Sequence, residues 1–207
     1  MPRSLDDLAD ISVPFATEPN HGDVFWPYLR DPETLARAWA VPGTPGLMHR
    51  IGGIEKAGIG LDGADGSGNI SYSPENHDTM VRLRARKVAG IAADIPGTML
   101  DDDPGAEVLV LGWGSTWGAI QEGVRRVRAD GTKVAHAHLT HLNPFPSDLG
   151  DILRRYRHVL VPEMNLGQLS RLVRAEFLVD AQSFTKVFGV PFRGVEIANK
   201  IMETING

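Results

Sequence analysis

Beyond residue 105 the apolar positions of the chain alternate between two periods. Residues 108–111 (VLVL) form a continuous apolar run, after which Trp117, Ile120, Val124 and Val127 recur at helical spacing. The pattern predicts a buried strand, a tight turn over Gly112-Trp113-Gly114, and a helix closed by Asp130-Gly131. Ser115 or Thr116 is placed to cap the first helical turn, and Arg125, Arg126 and Arg128 lie where the helix dipole favours cations. The alternation then repeats. Residues 134–139 read as a second strand, and Leu149, Ile152, Leu153 and Tyr156 give a helical stripe. Residues 159–161 read as a third strand, followed by a helix with Leu169, Leu172, Val173 and Phe177 inward and with capping-box spacing between Asn165 and Gln168. Residues 184–188 read as a fourth strand, and Ile197, Ile201 and Ile205 line one side of a last helix. Repeated strand–helix units predict an α/β domain with a mainly parallel sheet and helices on both faces.

The first half is patterned differently. Six prolines between positions 14 and 45 break any long element. Residues 1–45 therefore read as an extended Pro-rich arm and residues 46–207 as the α/β domain. Within the arm only residues 31–39 suggest a short helix, with Asp31 as cap and Pro32 at the first helical position. Phe15, Phe25, Trp26, Tyr28 and Trp39 would be poorly solvated on a free tail, so the arm packs on its own domain or on a partner. Residues 46–56 suggest a strand. The literal GxGxxG at Gly58, Gly60 and Gly63 is followed by Asp, Gly, Ser and Asn, and reads as a surface loop. Ser73-Pro74-Glu75 opens a helix to about Ile95, with Val81, Ala85, Val88, Ala92 and Ile95 as its apolar face and Arg82, Arg84, Arg86 and Lys87 on a solvated or subunit-facing surface, phosphate binding there being the lesser alternative. Residues 97–105, with Asp101-Asp102-Asp103, read as a linker whose acids are solvated.

Composition narrows the functions. A length of 207 residues with 42% hydrophobic positions supplies one well-formed core. The net charge of -5 argues against general binding to nucleic acid or anionic membranes. With no cysteine, disulfides and Cys-ligated zinc or iron–sulfur centres are excluded from this chain. No run approaches the roughly 20 apolar residues of a membrane span, and the first residues lack a secretory plan, so a cytoplasmic location is expected.

In such a sheet the functional edge lies where strand ends meet helix N-termini. The candidate ligand or subunit-interface residues there are Gly112, Gly114, Ser115, Thr116, Glu163, Asn165 and Gln168. Gly112 and Gly114 suit either an anion at the helix N-terminus or plain close packing. A dinucleotide site would also need an acid at the end of the second strand, where Ala137, His138 and Leu139 stand. His136, His138 and His141 form HxHxxH, with the first two on one strand face; a structural or interface role is preferred over a metal. No nucleophile stands out, so no catalytic residue and no metal ligand is assigned.

The blocks GSTWGAIQEGVRR, HLTHLNPFP, YRHVLVPEMNLGQLSRLVR and KVFGVPFRGVEI, with Asn76-His77-Asp78-Thr79-Met80 and Arg84-Ala85-Arg86-Lys87 before them, resemble the alpha subunits of 2-oxoacid:ferredoxin oxidoreductases, most specifically over residues 161–169. The subtype it looks like acts on 2-oxoglutarate. The resemblance covers residues 46 to the end and implies the C-terminal domain of a longer subunit, with a transketolase C-terminal-like fold: five strands, one edge antiparallel, residues 46–56 supplying that edge. It implies, for the whole enzyme, thiamine diphosphate, Mg2+ and an iron–sulfur cluster in the beta subunit, with coenzyme A and ferredoxin as reactants. This chain lacks the Gly-Asp-Gly motif that holds magnesium and diphosphate in such enzymes, so no cofactor is assigned to it. Its implied partners are the rest of the alpha subunit and a beta subunit. The other reading left open is a stand-alone phosphate- or nucleotide-binding module using the helix after Gly114.

Overall fold

The computed structural model describes residues 15–50, 59–61 and 64–207. Packing divides the chain into two compact units, Met1–Gly90 and Ile91–Gly207.

In the second unit the apolar runs become the middle of a five-stranded sheet. Its strands are β3 (Met99–Asp101), β4 (Val108–Trp113), β5 (Ala135–Leu139), β6 (His158–Glu163) and β7 (Ala181–Thr185), in the order β3-β5-β4-β6-β7. β4 pairs in parallel with β5 and β6, and β6 with β7, while β3 pairs antiparallel with β5. The connecting helices are α2 (Trp117–Ala129), α3 (Leu149–Leu153), α4 (Gln168–Phe177) and α5 (Gly194–Asn206). Strand alternation splits the core in two. Leu109, Leu111, Ala135, Ala137 and Val161 face Leu149, Leu153, Leu169 and Val173 of α3 and α4. Val108, Val110 and Leu160 face Ile120, Val124, Ile197 and Ile201 of α2 and α5. The mainly parallel five-stranded sheet with one antiparallel edge and helices on both faces is therefore observed.

The edge strand is not the one expected. Of residues 46–56, residues 46–50 form no strand and 51–56 lie outside the described residues; the antiparallel edge is Met99–Asp101, within the stretch read as a linker. Three residues between Pro96 and Pro104 are too few for a period to show. Nor are the three acids simply solvated. Asp101 accepts from Arg128 at 2.9 Å, Asp102 from the Tyr156 hydroxyl at 2.7 Å, and Asp103 from the Val134 N–H at 3.2 Å.

β7 also starts three residues earlier than expected. Its register against β6 runs from Val159↔Ala181 to Glu163↔Thr185, which leaves Val187 and the largely exposed Phe188 beyond the last pair. α2 and α5 cross closely at Gly123, where an added Cβ would stand 2.6 Å from Ile197 Cβ. In α4, Leu169 and Val173 are buried as the stripe predicts, but Leu172 is exposed.

In the first unit, Phe25, Tyr28 and Leu47 are buried, whereas Phe15 and Trp39 are exposed. The Tyr28 N–H donates to the Gly66 carbonyl at 2.8 Å, so the Pro-rich segment packs with residues beyond 45 and the boundary between units falls past the 45/46 division. Residues 31–39 form a turn and no helix. Asp31 Oδ1 accepts from the Glu33 N–H, the Thr34 N–H and the Thr34 hydroxyl, and Leu35 takes the left-handed conformation at φ 57. A side chain that satisfies the local backbone in this way competes with helix formation. β1 (Ile59–Leu61) and β2 (Ala64–Asp65) pair antiparallel inside the predicted surface loop, of which Gly58, Asp62 and Gly63 lie outside the described residues.

Helix α1 (Pro74–Gly90) begins where expected, with Ser73 Oγ accepting from the Asn76 N–H at 3.2 Å. It ends sooner, at Gly90, the poorest helix former after proline, and a 3-10 turn (Ile91–Ala93) follows. Its buried residues are Asn76 and Met80, and the expected apolar face is exposed at Val81, Ala85 and Val88. Apolar residues lie on both sides of this helix, so periodicity alone selects the wrong stripe. No helix among the described residues is long and apolar enough to cross a membrane.

Candidate functional site

Parallel pairing of β4 with β6 brings their C-terminal turns side by side. Between them lies a cleft of about 290 Å³ lined by Trp113, Gly114, Ser115, Thr116, Met164, Asn165 and Gln168. Five of the seven sequence candidates line it. Trp113 and Met164 stand outside that candidate set, although Trp113 ends β4 and Met164 directly follows β6. The other two candidates, Gly112 and Glu163, are buried beneath the lining.

Each buried member has a structural task. Glu163 is 0% exposed, and its carboxylate accepts from the Leu169 N–H at 2.6 Å and the Ser170 N–H at 3.0 Å. It therefore caps α4 from the preceding strand, satisfying two of the backbone donors that every helix start leaves without an intrahelical partner. Asn165 Oδ1 accepts from the Gly167 N–H at 2.8 Å and the Gln168 N–H at 2.9 Å and so closes the turn before α4, but the expected capping box is not formed, because the N-cap is Gly167 and Gln168 is already the first helical residue. Gly167, at φ 85, makes the left-handed step into the helix.

The first turn is built differently from the expected cap. The Thr116 hydroxyl accepts from the Trp113 N–H at 3.2 Å and donates to the Trp113 carbonyl at 2.8 Å, so it closes the turn on itself. Ser115 is exposed. Gly112 is required by packing, because a Cβ there would stand 2.4 Å from Ile120 Cδ1 and 2.8 Å from His138 Nδ1. Gly114 meets nothing within 4 Å and is favoured by its left-handed φ of 56.

The histidines tie this turn to the sheet. His138 Nε2 donates to the Gly114 carbonyl at 3.2 Å, which leaves its buried Nδ1 as an acceptor without a partner. His136 stands edge-on to it at 5.8 Å, buried, with Nε2 unpartnered. Burial, and then the neighbouring His138, lowers the His136 pKa to about 4; burial also lowers that of His138, opposed by its bond to Gly114. Both rings are thus neutral at pH 7. His141 is exposed beside Thr140 and does not join them; among the described residues no three His, Asp or Glu side chains converge on one point.

Residues 106–191 match the family described as pyruvate:ferredoxin oxidoreductase core domain II. The 2-oxoglutarate oxidoreductase subunit KorA of Mycobacterium tuberculosis is 56% identical over 90% of this chain, and the matched part is 27% of that protein. The 2-oxoglutarate synthase subunit KorA of Methanocaldococcus jannaschii is 36% identical over 51% of this chain and 28% of its own length. Among solved structures, the 2-oxoglutarate:ferredoxin oxidoreductase from Magnetococcus marinus, with 2-oxoglutarate, coenzyme A and succinyl-CoA bound, superposes with a TM-score of 0.77 at 31% identity, over 86% of this chain and 30% of that one. The chain therefore spans under a third of the length of each of these three relatives.

Proposed function

Because the chain belongs to the family of 2-oxoacid:ferredoxin oxidoreductase alpha subunits, we propose that it is a domain of a 2-oxoglutarate:ferredoxin oxidoreductase, a cytoplasmic enzyme that oxidatively decarboxylates 2-oxoglutarate to succinyl-CoA. Its partners are the rest of the alpha subunit and a beta subunit, with ferredoxin and coenzyme A as reactants of the whole enzyme. The observation that carries this reading is the 56% identity to the mycobacterial subunit over nearly the whole chain.

The domain's own contribution is assembly and the substrate entrance, through the cleft between the Gly112–Thr116 and Met164–Gln168 turns. Thiamine diphosphate, which supplies the carbanion chemistry of the family, does not fit the residues that line this cleft. Its magnesium-held diphosphate needs oxygen ligands of negative charge. The cleft lining is neutral, and both oxygens of Glu163 are committed to Leu169 and Ser170. Magnesium, the diphosphate and the iron–sulfur cluster are therefore assigned to other domains and to the beta subunit.

Two measurements test the assignment. Calorimetry of the 207-residue chain with thiamine diphosphate and magnesium should register no binding, and a dye-reduction assay with 2-oxoglutarate and coenzyme A no turnover. The full alpha chain combined with its beta partner should reduce the dye. Micromolar cofactor binding or dye reduction by the 207-residue chain alone would overturn the reading.

A further inference from the structure

Within the Met1–Gly90 unit three cations stand together with no carboxylate partner among the described residues. Arg30 and Arg37 face one another across an antiparallel bridge. Arg30 is only 9% exposed; its Nη1 donates to the Leu35 carbonyl at 2.9 Å, and its buried Nε–H has no acceptor. The Arg37 guanidinium lies over the Tyr28 ring, 4.6 Å from its centroid. That ring is held in place by Gly68, where an added Cβ would stand 2.8 Å from Tyr28 Cδ2. Lys87 is half-buried on α1, and Arg30 and Arg37 are the charged side chains that act on it. Burial and then Arg37 and Arg84 lower the pKa of Arg30; burial and then Arg30 and Arg37 lower that of Lys87.

A buried cation is stable only when paired or well hydrogen-bonded. Here one carbonyl and one ring face oppose three mutually repelling charges, and the innermost N–H has no acceptor. We propose that Arg30, Arg37 and Lys87 form a binding site for a dianionic oxyanion of the phosphate type, seated beside Tyr28 with Arg30 Nε–H as its innermost donor. Two planar guanidinium forks and one ammonium match the several acceptor oxygens and double charge of a phosphoryl group better than a single carboxylate. The same chemistry is offered by free inorganic phosphate and by the phosphates of coenzyme A. The oxyanion site is read from this chain's own residues, and only the choice of coenzyme A as the second probe rests on the proposed function.

The test is thermal unfolding of that chain titrated with inorganic phosphate and, in parallel, with coenzyme A, at constant ionic strength with sodium chloride as control. The expected result is a saturable rise in Tm with at least one of the two and none with chloride, as mass action requires of a ligand bound by the folded state. Arg37→Gln and Lys87→Gln alter side chains that are partly exposed, so circular dichroism should show the fold retained, and each should weaken the apparent affinity on the order of tenfold. Lys200→Gln should leave it unchanged. Saturation by coenzyme A at roughly tenfold lower concentration than phosphate assigns the site to a nucleotide-borne phosphate, and saturation at equal concentrations to the free ion. No saturable shift with either probe, or one undiminished in both variants, overturns the proposal.

Discussion

Glu163 holds Ser170 across six intervening residues: its fully buried carboxylate accepts the Ser170 N–H at 3.0 Å while its other oxygen takes the Leu169 N–H at 2.6 Å. The last residue of β6 thereby fixes where α4 begins, and with it one wall of the cleft. Glu163→Gln keeps one acceptor and turns an amide donor toward the second N–H. Hydrogen bonds to charged groups contribute about 1.5–3 kcal/mol each, so a loss of about 2 kcal/mol is expected for Gln and a larger one for Ala, which leaves both donors buried. Urea unfolding of the three proteins checks the order wild type, Gln, Ala; a Gln variant as stable as wild type would refute the capping role.

The two glycines of the neighbouring turn should respond to alanine for different reasons. At Gly112 the new Cβ meets Ile120 Cδ1 at 2.4 Å and His138 Nδ1 at 2.8 Å, and overpacking of this kind costs about 1–3 kcal/mol. At Gly114 there is open space, and the cost is the left-handed φ of 56 alone, about 1 kcal/mol. Adding Ile120→Val should recover part of the loss in Gly112→Ala and none in Gly114→Ala. Equal recovery in both would mean that the packing account of Gly112 is wrong.

Arg128 fastens the short edge strand. Its guanidinium reaches Asp101 Oδ2 at 2.9 Å and the Asp101 carbonyl at 3.1 Å, and also donates twice to the Val134 carbonyl. A three-residue strand has little packing of its own, since Met99 is half exposed. Arg128→Met keeps the aliphatic stem and removes these bonds. Amide exchange should then quicken selectively at Met99, Leu100 and Asp101, with β4 and β6 protected as before. Unchanged exchange at the edge would assign its stability to the β5 ladder alone.

The sequence made some of this architecture legible and hid the rest for physical reasons. Residues 108–111 are legible as a strand because a strand covered on both faces is apolar at every position, and the cleft followed because parallel strands align their exits. Met99–Asp101 was hidden by its length and by flanking prolines. Residues 184–188 carry strong β-formers, yet pairing with β6 sets the register and selects Ala181–Thr185, of which Ala181 is buried and Phe184 partly buried. Glu163 reads from sequence as a candidate ligand or subunit-interface residue, because a cap supplied from six residues upstream has no local spacing rule. The helix expected at residues 31–39 failed because Asp31, placed to cap it, also satisfies a tighter turn. Lys87 counted as surface because its helix was assigned the stripe through Val81 and Val88, which the fold leaves exposed.

The buried histidines make the stability of the Ile91–Gly207 unit depend on mildly acidic pH. In the folded state the His136 pKa is lowered to about 4, by burial first and by His138 second, whereas the unfolded chain titrates near the ordinary histidine value of about 6.5. As pH falls below that value the unfolded state takes up a proton that the folded state refuses, so stability is fully present above it and declines until the folded pKa is reached. The linkage amounts to about 2 kcal/mol at pH 5 relative to pH 8 from His136 alone. His136→Leu removes the titrating ring and the unpartnered Nε2 together. Urea unfolding at pH 8, 6 and 5 should show a steeper decline in wild type than in this variant, by about one proton's worth of slope. Parallel declines in wild type and His136→Leu would show that the ring remains free to protonate in the folded protein.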